Sequence, residues 1–274
     1  MGEGETLNSV VETYSRLADE YDNPKNIDSC WGHVARKSLG FVSTKGKHGV
    51  VVDVGCGTGR DLARLASGNP PDKQFIGVEP AANLRNLAIR YTENHPNVQI
   101  LDGSFEDLPL DYGSVNYLYS ILAFHWTTDL EKSVYELARV LKPDGEMDLT
   151  FVGRHNGREF IQKTTPIFFK YMTPAQLVEA ATLRKQLTLE ATAALFRKAF
   201  GEERLTVTES YHTYYDTLDG HWSWWVRIEG QFVNLPELIR AQCYQEAKAA
   251  ISTLAVDQGI PYTVHLLHVS LRHK

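Results

Sequence analysis

The run Val50-Val51-Val52-Asp53-Val54, followed by Gly55-Cys56-Gly57-Thr58-Gly59, constrains this chain more than any other segment. A short β-branched run bounded by glycine predicts a strand buried on both faces, as strands inside a parallel sheet are. Arg60 to Ala66 predicts a helix, ended by Gly68 and the Pro70-Pro71 pair. Strand, glycine turn and helix together open a doubly wound α/β sheet. Glycines at that junction let the backbone turn sharply and approach a ligand, and the helix N-terminus adds unpaired N–H groups and a partial positive charge. A dinucleotide fingerprint would need glycine at position 60, but Arg60 stands there and the third glycine is Gly59. Glu79 ends the next apolar run, where a carboxylate can accept both hydroxyls of a ribose. An acid at that place also serves nicotinamide cofactors, so Glu79 by itself leaves the ligand open.

The alternation continues. Phe75 to Val78, Val98 to Leu101, Val115 to Ser120 and Met147 to Val152 predict further strands. Pro80 opens a helix through Tyr91, and Asp129 is the expected N-cap of a helix carrying Leu130, Val134, Leu137 and Leu141. Lys142 to Gly145 reads as a turn, as does Lys45 to Gly49. Before the first strand, Leu7, Val10, Val11, Tyr14, Leu17, Ala18 and Tyr21 make one apolar stripe, stopped at Asp22-Asn23-Pro24. Ser29 to Phe41 predicts a second helix. After Gly153 the alternation breaks. Thr173 to Phe200 reads as one long helix, Arg204 to Tyr215 as a strand, Pro236 to Val256 as a helix and Tyr262 to Leu271 as a strand. The expected organisation is an N-terminal helical cap over 1–45, a core over 46–152, and lid helices with the last strands over 153–274.

Length and composition narrow the function. A chain of 274 residues suits one domain with an elaboration, since domains run roughly 100–200 residues. Its formal net charge of -6 disfavours a nucleic-acid partner, which usually meets a basic surplus. Cys30, Cys56 and Cys243 are far apart and odd in number, which suits neither a disulfide framework nor zinc, so no metal is expected. No apolar run approaches the ~20 residues of a membrane span, and the polar N-terminus is no signal peptide, so a cytoplasmic location is expected.

VVDVGCGTGRDLARLA, IGVEPA, DGSFEDLPL and LARVLKPDGEM, in that order over about residues 46–152, resemble the consecutive motifs of class I S-adenosylmethionine-dependent methyltransferases. The resemblance is strongest to the small-molecule branch with malonyl-carrier-protein, trans-aconitate and ubiquinone-pathway methyltransferases, in which a stretch like YSRLADEYD precedes the core. It implies a Rossmann-like α/β fold, seven strands with the last antiparallel, and helices on both faces. The implied cofactor is S-adenosylmethionine, leaving as S-adenosylhomocysteine. Gly55, Gly57 and Gly59 would pass its methionine part, with Asp53 orienting the loop. Glu79 would bind the ribose, Ser104 and Phe105 would flank the adenine, and Ile121 would contact the methionine part by backbone. Tyr21 would close over the cofactor. The family usually carries Asp at the position of Ser104 and near Asn116, and this chain does not.

Methyl transfer asks the protein for position, orientation and exclusion of water, and for a base when the acceptor is a hydroxyl, carbon or protonated amine. His125 is the first candidate base, with Tyr21 beside it as a catalytic candidate; packing of the loop is the competing role for His125 and Trp126. Arg154, after the fifth strand, could hold an acidic group bidentately or lie in solvent. Tyr14, Trp126, Phe169, Trp222 and Trp225 are the expected apolar contacts of a largely apolar or aromatic small molecule, in a biosynthetic or secondary-metabolic setting. Trp222, Trp224 and Trp225 fall within four positions, so at least one ring is expected to point away from the core, into a pocket or an interface. The N-terminal stripe is expected to support a homo-oligomer. Three other readings stay open: a cyclisation or rearrangement on the same fold and cofactor, a nicotinamide-dependent oxidoreductase, and a nucleic-acid methyltransferase. The glycine spacing disfavours the second and the acidity the third.

Overall fold

The computed structural model describes residues 9–23, 28–45, 48–69, 72–228 and 235–273. Leu7, the Pro24 stop, the middle of the Lys45–Gly49 turn and the Pro70-Pro71 pair lie outside them. Seven strands form one sheet, β1 (Val50–Val54), β2 (Gln74–Val78), β3 (Val98–Leu101), β4 (Val115–Ile121), β5 (Leu141–Val152), β6 (Leu205–Asp216) and β7 (Ile260–Leu271), in the order β3-β2-β1-β4-β5-β7-β6. The first five run parallel. β7 runs antiparallel, as the family resemblance implies, and lies between β5 and β6.

Alternate residues divide the sheet between two cores. Val52, Val54, Leu118 and Leu149 face one side, under Val134 and Leu137 of α6 (Leu130–Val140) and Phe196 of α9 (Leu189–Phe200). Val51, Tyr117 and Tyr119 face the other, under Leu62 and Ala66 of α4 (Arg60–Ser67). A strand buried on both faces cannot alternate apolar with polar, so β1 reads as an apolar run with Asp53 its one polar residue. β5 begins earlier than expected. It pairs from Leu141, and the irregularity between its Val115 and Tyr117 partners absorbs the Lys142–Gly145 turn.

A buried polar clamp fixes β7 in place. Asp148 is 2% exposed, and its carboxylate accepts from Arg272 Nη2 (2.7 Å to each oxygen), His268 Nε2 (2.8 Å) and Tyr117 OH (2.8 Å). A buried charge is tolerable when its lone pairs are met in this way.

The N-terminal stripe is spent inside the chain. α1 (Ser9–Arg16) and α2 (Ala18–Tyr21) bury Ala18, Val11 and Tyr14 against Leu84 and Leu87 of α5 (Ala82–Thr92), with Val10 also buried. Part of the apolar face expected to support an oligomer therefore packs on α5 of the same chain, while Tyr21 at its end stays exposed. α3 (Cys30–Leu39) follows, capped by Ser29.

After β5 the helices differ from expectation. Arg158–Tyr171 is a helix, α7, which Pro166 hides from a periodicity reading. The expected long helix is two, α8 (Pro174–Thr182) with a capping box at Thr173, and α9, separately capped by Thr188. Two N-caps in one helical composition mark two starts. The tryptophan cluster lies on α10 (Leu218–Ile228), before α11 (Glu237–Ser252).

Candidate active site

The C-terminal ends of β1, β2 and β4 converge on two cavities that share a wall. The first is lined by Gly55, Gly57, Glu79, Ser104, Phe105 and Ile121 from the sheet edge, and by Val10, Val11, Tyr14 and Tyr21 from the N-terminal helices. The second is lined by Trp31, Asp53, His125, Trp126, Val152, Arg184 and Trp224, among others. Tyr14, Tyr21, Gly55, Gly57, Ile121, Leu122 and Trp126 border both. Open α/β sheets bind ligands at this edge, where strand order reverses.

The three loop glycines all have left-handed backbones, with φ +75° at Gly55, +56° at Gly57 and +73° at Gly59. Their surroundings differ. A Cβ on Gly55 would lie 2.4 Å from Ala123 Cβ, and one on Gly59 would meet Ala88 Cβ and backbone at 2.8 and 2.9 Å. A Cβ on Gly57 would meet only Tyr21, 4.0 Å away. Gly55 and Gly59 thus let chain segments touch, whereas the bare face of Gly57 opens into the first cavity.

Glu79 anchors that loop. Its Oε2 accepts from Gly57 N and its Oε1 from Ala81 N, each at 2.9 Å. Burial pushes its pKa up, while the two backbone N–H groups and Arg85 hold it down. Each oxygen keeps a lone pair for a ligand hydroxyl. Asp53 is buried below the loop, and burial pushes its pKa well above the usual carboxylate range. Ser104 and Phe105 form the far wall, with Phe105 packed edge-on against Phe124. Asn116, where the family usually has an acid nearby, accepts from Val50 N and Lys142 Nζ, both at 3.0 Å, so its amide serves the strands.

A bare glycine backbone, a carboxylate with free lone pairs and a mostly apolar slot suit a nucleoside carrying a short, charged chain. These residues therefore fit S-adenosylmethionine.

Tyr21 packs edge-on against Tyr14 (5.8 Å between ring centres), and Tyr14 against Trp126 (5.7 Å). Burial of the Tyr21 hydroxyl, then the charges of Glu79 and Asp61, push its pKa up to about 12. It stays protonated near neutrality and can donate a hydrogen bond. His125 lies on a short 3-10 turn, Phe124–Trp126, and is buried. Burial, with the Arg184 guanidinium second, holds its pKa well below the usual value, so the ring is neutral. Its Nδ1 faces Val152 N at 3.5 Å, and from that contact we assign the proton to Nε2. His125 then presents a donor, not a base, at Nε2. The Arg184 guanidinium stacks 4.6 Å over the Trp126 ring. Leu122, between β4 and the 3-10 turn, has φ +56°, a strained conformation for leucine at the wall both cavities share.

Four expected substrate contacts lie elsewhere. Arg154 is exposed and holds the chain by its backbone N–H, which donates to Leu187 O at 2.8 Å. Phe169 points outward from α7, 67% exposed, while its neighbour Phe168 stacks on Trp225; one helical residue turns about 100° around the axis. Trp222 and Trp225, three apart on α10, stack on each other at 4.9 Å and pack against Tyr244. Trp224 and Trp225 are buried and Trp222 is half-buried. The ring of the cluster that faces a pocket is Trp224, which packs edge-on against Trp31 and lines the second cavity. Trp31, Trp224, Leu122 and Arg184 are the site residues that the sequence reading missed. Trp224 was at least flagged by its cluster, but Arg184 falls in a helix break that periodicity did not reveal.

A family described as a methyltransferase domain matches residues 52–147. The chain is 27% identical over 177 residues to the ubiquinone/menaquinone biosynthesis C-methyltransferase of Campylobacter jejuni (strain 81-176), covering 61% of this chain and 73% of that one. It is 30% identical over 143 residues to the malonyl-[acyl-carrier protein] O-methyltransferase of Yersinia pestis, covering 50% and 48%. Two further curated relatives are matched over only 28% and 47% of their length. Among solved structures, phosphoethanolamine N-methyltransferase 2 of Haemonchus contortus, in complex with S-adenosyl-L-methionine, aligns with TM-score 0.55 and 14% identity, over 99% of this chain and 59% of that one. That likeness is one of fold.

Proposed function

We propose that this chain, whose residues 52–147 match a methyltransferase domain, transfers a methyl group from S-adenosylmethionine to a small molecule bound in the second cavity. The observation that carries the proposal is the shared wall: Tyr14, Tyr21, Leu122 and Trp126 border both the glycine-loop cavity and an aromatic cavity beside it. The bound cofactor supplies an electrophilic methyl group, and the protein supplies alignment and dryness. Gly57 and Glu79 hold the cofactor, with Ser104 and Phe105 at its base. Trp31, Trp126 and Trp224 favour an apolar or aromatic acceptor body. The His125 Nε2–H and the Arg184 guanidinium are donors, so they suit an acceptor bearing an anionic or carbonyl oxygen. In this reading His125 orients the acceptor and stabilises its charge.

Calorimetry with S-adenosylmethionine and S-adenosylhomocysteine tests the premise, and absence of heat from folded protein with both would overturn it. For the second cavity, His125→Ala should leave cofactor affinity within about twofold and lower turnover by about 10²-fold, a typical loss for one positioned donor. Equal losses of cofactor binding and turnover would place His125 in the fold rather than at the acceptor.

A further inference from the structure

We infer that Asp22, Arg60 and Tyr91 form a latch that clamps the N-terminal helices onto the glycine loop and so sets how long the cofactor stays bound. The inference rests on the cofactor reading above. Three elements meet here. Asp22 follows Tyr21 at the end of α2, Arg60 opens α4 directly after Gly59, and Tyr91 lies in the last turn of α5. Asp22 Oδ1 accepts from Arg60 Nε at 2.7 Å and Oδ2 from Arg60 Nη2 at 2.9 Å, a two-pronged pair. Tyr91 OH donates to the same Oδ2 at 2.5 Å and itself accepts from Arg60 Nη2. The guanidinium also lies 4.3 Å over the Tyr91 ring. Arg60 beside it holds the Asp22 carboxyl below its ordinary range.

The position of this contact gives it a function. The latch joins the N-terminal cap to the loop that carries Gly57. Two further contacts, Asn83 N to Ser15 Oγ (3.1 Å) and Asn83 Nδ2 to Ser15 O (2.9 Å), tie α1 to α5. Tyr21, one residue from the latch, borders both cavities and faces the open side of Gly57. A ligand held between the cap and the loop leaves only when the two part. Breaking the latch therefore speeds departure more than it slows entry. Asp22 and Arg60 also line the second cavity, away from Glu79, Ser104 and Phe105, so their effect on the cofactor is a positioning one, exerted through the cap.

Stopped-flow tryptophan fluorescence with S-adenosylhomocysteine tests this. Asp22→Asn and Arg60→Met should each raise the dissociation rate about tenfold, the equivalent of about 1.4 kcal/mol, with a smaller change in association. The double variant should be no worse than the poorer single variant, because both remove one shared interaction. Tyr91→Phe should raise dissociation by less and serves as the test if either charge variant fails to fold. Wild-type dissociation rates in folded variants, or additive effects in the double variant, would overturn the latch alone. Failure of the wild type to bind S-adenosylhomocysteine would overturn the cofactor reading and the latch with it.

Discussion

Gly57 and Gly59 lie two residues apart with left-handed backbones, yet the space around their missing side chains differs. At Gly59 a Cβ collides with the Cβ and backbone of Ala88, so α4 and α5 could no longer touch. At Gly57 it meets only the edge of Tyr21 across the first cavity. A non-glycine residue in this conformation costs about 1–2 kcal/mol of strain at either position. The two alanine variants should therefore part company. Gly59→Ala should lose stability well beyond the strain, because backbone cannot yield cheaply. Gly57→Ala should lose little beyond the strain but should weaken S-adenosylhomocysteine binding at least about tenfold, or about 1.4 kcal/mol. Thermal melts paired with calorimetry would separate them. Equal melting losses with equal binding would show that the open face of Gly57 is not a ligand surface. The loop glycines, Asp53 and Glu79 were legible in the sequence because they are contiguous or sit at predicted strand ends. Arg184 and Trp31 were not, because their place in the site comes from how distant helices pack.

α10 shows where element-level reading stops. Three tryptophans within four positions cannot share one helix face, and that geometry holds: Trp224 faces Trp31, Tyr262 and Phe160, while Trp222 and Trp225 face Tyr244. What the sequence did not disclose is which ring faces the pocket: it is Trp224, which lines the second cavity. β1 to β5 were legible because each is a short apolar run between turn residues, and most bounds agree within a residue or two. α7 was not, because Pro166 interrupts its pattern, and the α8–α9 break was hidden by continuous helix-forming composition. Packing makes the tryptophans separable by experiment. Trp225→Ala should cost about 3–5 kcal/mol of unfolding free energy by denaturant titration, with cofactor affinity unchanged. Trp224→Ala should cost a similar amount and also reshape the second cavity. A Trp225→Ala cost under about 1 kcal/mol would mean that the ring is not packed as a core residue is.

At the scale of the whole molecule, the parallel core was written plainly in the strand–helix alternation, the antiparallel run of the last strand came only from the family resemblance, and its place between β5 and β6 came from neither. No periodicity announces that Asp148 will meet Arg272 and His268 across that register, because the pairing spans more than a hundred residues. Burial of histidines around this sheet links folding to pH. His221 is fully buried as a neutral ring: its Nε2–H donates to Ile260 O at 2.8 Å, and its Nδ1 accepts from Trp224 Nε1 at 3.3 Å. A proton on Nδ1 would set two donors against each other. Burial accordingly lowers the pKa of His221, as it does those of His125 and His265. The unfolded chain takes up these protons near pH 6.5, the folded chain only at lower pH. Between those two points the unfolded state binds more protons, so each such histidine makes stability fall as pH falls below about 6.5. Asp53 and Glu79, raised by burial, act in the opposite sense, losing stability as pH rises past about 4. The wild-type slope is the sum of both, so the informative quantity is a difference. His221→Gln keeps a donor for Ile260 O but cannot titrate. It should be less stable than wild type at pH 7.5, and its deficit should shrink on acidification to pH 5.5 as wild type loses the contribution of the neutral imidazole. Melting curves of both proteins across that interval read this directly, and a deficit that is constant or grows toward pH 5.5 would mean that His221 is not held neutral by the fold.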